Sequence, residues 1–384
     1  MEFKVPQPMT QRPIYTLPEN PSIRQLRETA VKAMRDMITI QWSTGKEIRY
    51  NKRGAVSGKN YYHDPGQLYC GLPYADGQTN LYVWLEHYNM ETGELTFDGD
   101  GQWLNDHLGN TCAGSLMWGW SAVCRSLTGV FINYNMVKKY GVLPVGDYKY
   151  NTDITTYYDH KTRDICDENG QEKMFECYAQ IQLGDGITST TTLHTMMSII
   201  DAVVVRDENG KIDGEQSYIT LQDQAAGKGK EFRTEEHDGL IYNYSGKINF
   251  HAPFNWLWEK AYIPITTAEL QGLIPYEKAW VNFAGAGITV EQLIGGVFQS
   301  NYPMCLIKTF ATDAQGNKTL LHKRYFNRGD VGTGRARAYR IISDDQEAFQ
   351  TAVAKLPSGE YTLSAEVTVA TGEIFTPVSF SYSK

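Results

Sequence analysis

Cys112 stands where a cysteine can act as a nucleophile. It follows the polar residues Asn110 and Thr111 and precedes an apolar run that contains Trp118 and Trp120. The run predicts a buried helix, and a helix start offers free backbone N–H groups and the positive end of the helix dipole, which stabilise a thiolate. Most free cysteines are small buried side chains. The flanking residues nevertheless make Cys112 a candidate nucleophile for acyl transfer.

A nucleophilic thiol needs a base, and His194 is the best placed of the eight histidines. It follows a Gly-Asp loop (Gly184-Asp185) and a run of threonines, and it lies near the start of a β-type segment predicted over 193–206. An Asn-Gly turn then leads into a returning strand predicted over 218–222. This antiparallel pairing brings the end of the second strand close to the histidine.

The returning strand ends in Gln222, Asp223 and Gln224, which supply one carboxylate and two amides that could orient an imidazole. Side chains alternate between the two faces of a strand, so Asp223 shares the face of the apolar residues Ile219 and Leu221. We expect that face to pack against the nucleophile helix. Asp223 is therefore the first choice for the third residue. A bulge at the strand end would put Gln224 there instead, and Gln222 is a further alternative.

Taken in chain order, these features resemble the NlpC-type papain-like cysteine peptidases and the related CHAP amidases. The resemblance covers about residues 60–225 and includes a Gly-x-Pro-Tyr loop ending at Tyr74, the Cys-Ala-Gly turn, the Gly-Asp loop, the histidine and the Asp-Gln pair. It implies that Cys112 is the nucleophile, His194 the general base and Asp223 the residue that orients it. Tyr74 matches the loop tyrosine that helps to stabilise the oxyanion.

The resemblance also implies a function. It predicts a hydrolase that cleaves an amide through a thioester, in peptide or peptidoglycan-fragment substrates of the cell wall, without cofactor or metal. The family usually has Asp before the cysteine and Ser after it, near the free amine of the stem peptide, where this chain has Thr111 and Ala113. Two alternatives stay open: an amidase or acyltransferase that acts on a non-wall substrate, and a catalytically silent papain-like binding module.

The domain organisation follows from the same patterns. We expect an α+β fold, with an extended N-terminal arm over 1–19, a papain-like catalytic domain and its linker over 20–276, and a C-terminal β-sandwich over 277–384 that could contact a glycan or a protein. An amphipathic helix is predicted to begin at Asn20-Pro21. Further helices are predicted around 171–178 and 344–354, and strands at 279–283, 303–310, 319–326, 338–342, 360–370 and 375–382.

Composition limits the partners and the compartment. A chain of 384 residues suits two domains, and a net charge of −8 without a basic cluster argues against nucleic acid or an anionic membrane. No apolar run is long enough to span a bilayer, and the first residues lack the apolar core of a signal peptide. We therefore expect a cytoplasmic protein, or a secreted or cell-envelope protein whose leader was removed.

Overall fold

The computed structural model describes residues 8–55, 60–74, 79–96, 108–127, 141–150, 161–224, 241–242, 248–285, 290, 293, 296–326, 338–339 and 344–384. The helices are α1 (Ile23–Thr39), α2 (Leu81–Leu85), α3 (Cys112–Ser121), α4 (Thr162–Asn169), α5 (Gln171–Tyr178), α6 (Phe254–Glu259) and α7 (Asp344–Ala354). The strands are β1 (Gln41–Thr44), β2 (Ile48–Ala55), β3 (Asn60–His63), β4 (Tyr69–Cys70), β5 (Tyr88–Asn89), β6 (Glu94–Leu95), β7 (Val142–Pro144), β8 (Gly186–Ser189), β9 (His194–Ser198), β10 (Tyr218–Gln222), β11 (Ile241–Tyr242), β12 (Ile248–Pro253), β13 (Ile263–Thr267), β14 (Val281–Ala284), β15 (Val297–Ser300), β16 (Met304–Asp313), β17 (Lys318–Tyr325), β18 (Ala338–Tyr339), β19 (Glu360–Val369) and β20 (Ile374–Ser383).

The predicted architecture, a papain-like α+β domain followed by a β-sandwich, is wrong. The strands form small sheets in an arrangement that resembles a four-bladed β-propeller, with about 24% helix. The sequence patterns do predict β16, β17, β19, β20 and α7 within a few residues of their observed bounds. They did not predict how strands group, because pairings such as β4 with β11 join segments that are far apart in the sequence. The expected glycan or protein contact through a sandwich loses its basis with this correction.

One six-stranded antiparallel sheet carries two parts of the candidate site. Its strand order is β12-β10-β9-β8-β13-β7. The start of β9 lies beside the end of β8, with His194 opposite Ser189, and the end of β10 lies beside β9, with Gln222 opposite Met197. Strands β9 and β10 are adjacent and antiparallel, so the C-terminal end of β10 lies beside the N-terminal end of β9. His194 and the residues that follow Gln222 are therefore neighbours.

The strand predicted over 193–206 is shorter than expected, because β9 ends at Ser198. The Asp201 carboxylate accepts a hydrogen bond from the Leu183 backbone N–H at 2.9 Å and pairs with Arg24 on α1. These contacts turn the chain away from the strand direction. The predicted returning strand over 218–222 is confirmed as β10.

The first amphipathic helix is confirmed, with a later start than predicted. Ser22, and not Asn20, is the N-cap: its hydroxyl accepts the Gln25 backbone N–H, and the Gln25 side chain accepts the Ser22 N–H. This reciprocal capping box satisfies two N–H groups that the helix leaves without partners. The described part of the N-terminal arm then ties α1 to the C-terminal strands, since the backbone N–H of Tyr15 donates to Thr371 at 2.7 Å.

Helix α3 is buried along its whole length and packs closely on α1. A side chain at Gly119 would bring its Cβ within 2.8 Å of the Ala30 carbonyl oxygen, so only glycine permits this approach. The indole N–H of Trp118 donates to the Ala33 carbonyl at 3.1 Å, and that of Trp120 to the Gly184 carbonyl at 2.8 Å. These contacts hold helix α3 firmly against α1 and the Gly-Asp loop.

A buried ion pair fixes α1 against the Gly-Asp loop. Arg27 donates to the Asp185 carboxylate at 2.7 Å, to the Leu183 carbonyl at 2.8 Å and, with its other terminal nitrogen, to the Leu270 carbonyl at 2.7 Å. Burial raises the pKa of the Asp185 carboxyl, and the nearby guanidinium opposes that effect. The carboxylate thus depends on Arg27 to remain charged inside the protein.

Arg27→Met is expected to lower the free energy of unfolding by about 3–5 kcal/mol, because it leaves the Asp185 carboxylate buried without its partner. Urea denaturation measures this. Arg24→Met is the matched control, since the exposed pairs of Arg24 should contribute less than about 1 kcal/mol. Equal losses in the two variants would contradict the structural role of the buried pair.

Candidate functional site

Cys112 is the first residue of α3, and its side chain is almost fully buried, with 2% exposure. Thr111 is the N-cap: its hydroxyl accepts the Gly114 N–H at 3.2 Å, and its own N–H donates to the Asn110 side chain at 2.8 Å. The N–H groups of the first turn have no acceptor inside the helix, and they lie at the positive end of the helix dipole. The position thus favours a negative charge on the sulfur.

Tyr74 approaches the cysteine from the Gly-x-Pro-Tyr loop. The Asn110 backbone N–H donates to the Pro73 carbonyl at 2.9 Å, and Tyr74 forms a parallel bridge with Asn110. These bonds fix the loop beside the start of α3. The Tyr74 hydroxyl lies 3.7 Å from the Cys112 sulfur and can donate to a thiolate there.

His194 and Asp223 meet where β9 begins and β10 ends. Nε2 of His194 lies 2.5 Å from Oδ2 of Asp223. This contact leaves Nδ1 as the ring nitrogen for another partner, and the His194 side chain hydrogen-bonds to Cys112. The structure therefore brings together all four residues that the sequence put at the site, in the order Tyr74, Cys112, His194, Asp223.

The electrostatics of the site favour a thiolate-imidazolium pair. Burial acts to raise the pKa of Cys112, but hydrogen bonds from His194, Tyr74 and the Thr195 backbone, with the charge of the imidazolium, leave this pKa below its usual value. Burial acts to lower the pKa of His194, but the charge and hydrogen bond of Asp223, together with the contact to Cys112, raise it to about 10. Both shifts favour transfer of the proton from the sulfur to the imidazole.

Neither glutamine beside Asp223 contacts the histidine in the contacts that the structure describes. The side-chain oxygen of Gln222 accepts from Nε of Arg35 at 2.6 Å, and its nitrogen donates to the Val31 carbonyl at 3.1 Å, so Gln222 binds α1. Gln224 binds α3 and the Gly-x-Pro-Tyr loop. Of the three candidates for the third position, Asp223 is the one at the imidazole.

The prediction that the face of β10 carrying Ile219 and Leu221 packs against α3 is wrong. Ile219 and Leu221 do pack inside, but in the apolar cluster that contains Tyr178 and Phe254 of α5 and α6, and not against α3. The opposite face of the sheet, which carries Gln222, faces α1. Asp223 follows the last residue of β10, so the alternation of side chains between the two faces of the sheet no longer fixes its direction, and it reaches the histidine.

Two groups near the site had no signal in the sequence. The backbone of Thr195 hydrogen-bonds to Cys112, and the Tyr262 hydroxyl accepts from the Thr192 side chain at 3.0 Å. Burial raises the pKa of Tyr262, and the charges of Asp223 and Cys112 add to this effect, which locates the phenol near both. A backbone contact, and a tyrosine that directly precedes the distant strand β13, cannot be recognised from residue type or spacing.

Within the described ranges, no group of three or more His, Cys, Asp or Glu side chains is arranged to hold a metal ion. None of the helices described is both long and apolar enough to cross a membrane. The side chains that surround Cys112 in the described residues are a phenol, an imidazole and, beyond it, a carboxylate.

The resemblance to NlpC-type peptidases stays a prediction that rests on the motifs alone. In comparisons with known proteins, no family model matches the chain, and no curated protein or solved structure shows a significant match.

Proposed function

We propose that this protein is a cysteine-dependent hydrolase that cleaves an amide or ester bond through a thioester on Cys112. The observation that carries the proposal is the continuous contact from Tyr74 through Cys112 and His194 to Asp223. The other cysteines provide a contrast, since burial raises the pKa of Cys70 and Cys124 whereas that of Cys112 is lowered. A structural cysteine gains nothing from a lowered pKa.

Each residue of the site has a role in the proposed reaction. The Cys112 thiolate attacks the substrate carbonyl carbon, and the resulting oxyanion lies within reach of the Cys112 backbone N–H and the Tyr74 hydroxyl. His194 gives its proton to the leaving group, and the thioester remains. Neutral His194 then takes a proton from water, whose oxygen attacks the thioester and releases the acid. Asp223 orients the imidazole throughout.

The substrate in this proposal is defined by its scissile bond. The cell-wall peptide implied by the resemblance is not part of it, because the papain-like fold that supported that assignment is wrong. An acyl acceptor other than water would use the same steps, with an amine or alcohol attacking the thioester.

The test of the proposal is the pH dependence of Cys112 alkylation by iodoacetamide, followed by mass spectrometry of the cysteine peptides. We expect a midpoint well below the value of about 8.5 for an ordinary thiol. His194→Ala should move the midpoint upward, because it removes the imidazolium that stabilises the thiolate. His251→Ala is the control, since His251 lies on β12 and stacks on Tyr218. An ordinary midpoint in the unaltered protein would leave a binding module as the better interpretation.

A further inference from the structure

We infer that Gln224 is a positioning residue that holds the nucleophile helix and the Tyr74 loop in register with His194. The inference rests on the proposed function and adds a part to the same site. Gln224 follows Asp223 directly and is fully buried, with 0% exposure. A buried amide needs partners for its oxygen and its nitrogen, so those partners show what the residue does.

The partners of Gln224 lie on the two elements that carry Cys112 and Tyr74. Its side-chain oxygen accepts a hydrogen bond from the Ser115 hydroxyl, one turn beyond Cys112 on α3. Its side-chain nitrogen donates to the carbonyls of Leu72 at 2.6 Å and Pro73 at 3.2 Å, just before Tyr74. One side chain therefore spans the gap between the nucleophile helix and the loop.

The neighbouring residue completes the arrangement. Asp223 binds the imidazole of His194, and consecutive Cα atoms are about 3.8 Å apart in a fixed peptide geometry. Two adjacent residues at the end of β10 thus contact β9, α3 and the Tyr74 loop. A displacement of Gln224 relative to Asp223 would change the distances from the Cys112 sulfur to both the imidazole and the phenol.

The chemistry of these contacts requires an amide. The side chain must accept from one hydroxyl and donate to two carbonyls, and among side chains of this length only glutamine does both without a charge. Methionine has a similar volume but supplies no donor and only a weak acceptor. Gln224→Met therefore removes the bonds while the buried volume is nearly unchanged.

The experiment compares Gln224→Met with Gln222→Met. Gln222 is also fully buried, one residue before Asp223, but its side chain bonds to Arg35 and Val31 of α1 and to the Met197 sulfur of β9, and not to α3 or the Tyr74 loop. The readouts are the iodoacetamide pH profile of Cys112, the rate of p-nitrophenyl acetate hydrolysis and the thermal unfolding midpoint. We expect Gln224→Met to raise the alkylation midpoint by about one pH unit and to lower kcat by about 10–100-fold, as for a lost positioning contact. Gln222→Met should lower stability and leave the alkylation midpoint unchanged.

Two further variants keep the inference testable. Ser115→Ala removes the bond between Gln224 and the helix but keeps the bonds to the loop. It should therefore raise the midpoint of Cys112 alkylation by less than Gln224→Met does. If Gln224→Met does not fold, Ser115→Ala takes its place in the comparison. In a Tyr74→Phe background, the effect of Gln224→Met on kcat should shrink, because part of its action passes through the phenol.

The positioning role of Gln224 and the hydrolase activity can fail separately in these experiments. Equal shifts of the midpoint in Gln222→Met and Gln224→Met, or a change in unfolding temperature alone, would overturn the positioning role and leave the hydrolase intact. An ordinary thiol midpoint in the unaltered protein would overturn the hydrolase, whatever the glutamine variants do.

Discussion

Cys112→Ala is expected to reduce hydrolysis of p-nitrophenyl acetate to the rate of a protein-free control, a loss of at least about 10³-fold from the acyl-enzyme route. Cys112 is the only group in the described site that can form the thioester, so no partial activity should remain. Mass spectrometry of the unaltered protein, quenched during turnover, should find the acetyl group on the peptide that contains Cys112.

Cys124→Ala is the matched control for that loss. Cys124 lies shortly after the same helix, is fully buried and contacts the Thr267 hydroxyl at 3.1 Å, and burial raises its pKa. It should be removable with little change in turnover. Residual turnover in Cys112→Ala comparable to that of Cys124→Ala would show that the ester is cleaved elsewhere and would contradict the proposed nucleophile.

Local sequence predicted the parts of the site better than the fold that carries them. A cap residue before an apolar run predicts that Cys112 begins a helix, and regular alternation after an Asn-Gly turn predicts β10. Both signals lie within a few residues. The contact between Asp223 and His194 was predictable for a related reason: when a chain returns antiparallel to a strand, the end of the second strand lies beside the start of the first.

The arrangement of sheets could not be predicted in the same way. Strand β1 pairs with β4 and β6 and not with β2, and β13 inserts beside β8 although about seventy residues separate them. Such pairings depend on which apolar faces fit together, and residue types alone do not encode that choice. The papain-like expectation failed because a similar order of short motifs was taken to imply a similar packing.

The buried glutamines show a second limit. From the sequence, Gln222 and Gln224 are alternatives to Asp223, because their amides could orient an imidazole and a bulge at the strand end would bring Gln224 to it. In the structure both are fully buried and bind elements from distant parts of the chain. Their roles depend on carbonyls and hydroxyls that come near only after folding, so no spacing rule reveals them.

Asp223→Ala should lower turnover by about 10³-fold. It should also narrow the range of pH over which the enzyme is active, at both the acidic and the alkaline limit. The active form is the thiolate-imidazolium pair. Activity should therefore rise with pH as Cys112 loses its proton, and fall as His194 loses its proton with a pKa of about 10. The charge of Asp223 favours the protonated imidazole, and the imidazolium in turn favours the thiolate. Its removal should therefore move the alkaline limb to lower pH and the acidic limb to higher pH.

Asp223→Asn separates the charge of this residue from its orienting contact. An amide oxygen can still accept the hydrogen bond from Nε2 of His194, so the ring should keep its orientation while the negative charge is lost. We expect both limbs to move inward as in Asp223→Ala, with a much smaller fall in the maximal rate. If the alkaline limb of the pH–activity profile stays at about pH 10 in both variants, Asp223 does not raise the pKa of His194. In that case the charge on the sulfur itself must hold the proton on the histidine, and the carboxylate serves only to orient the ring.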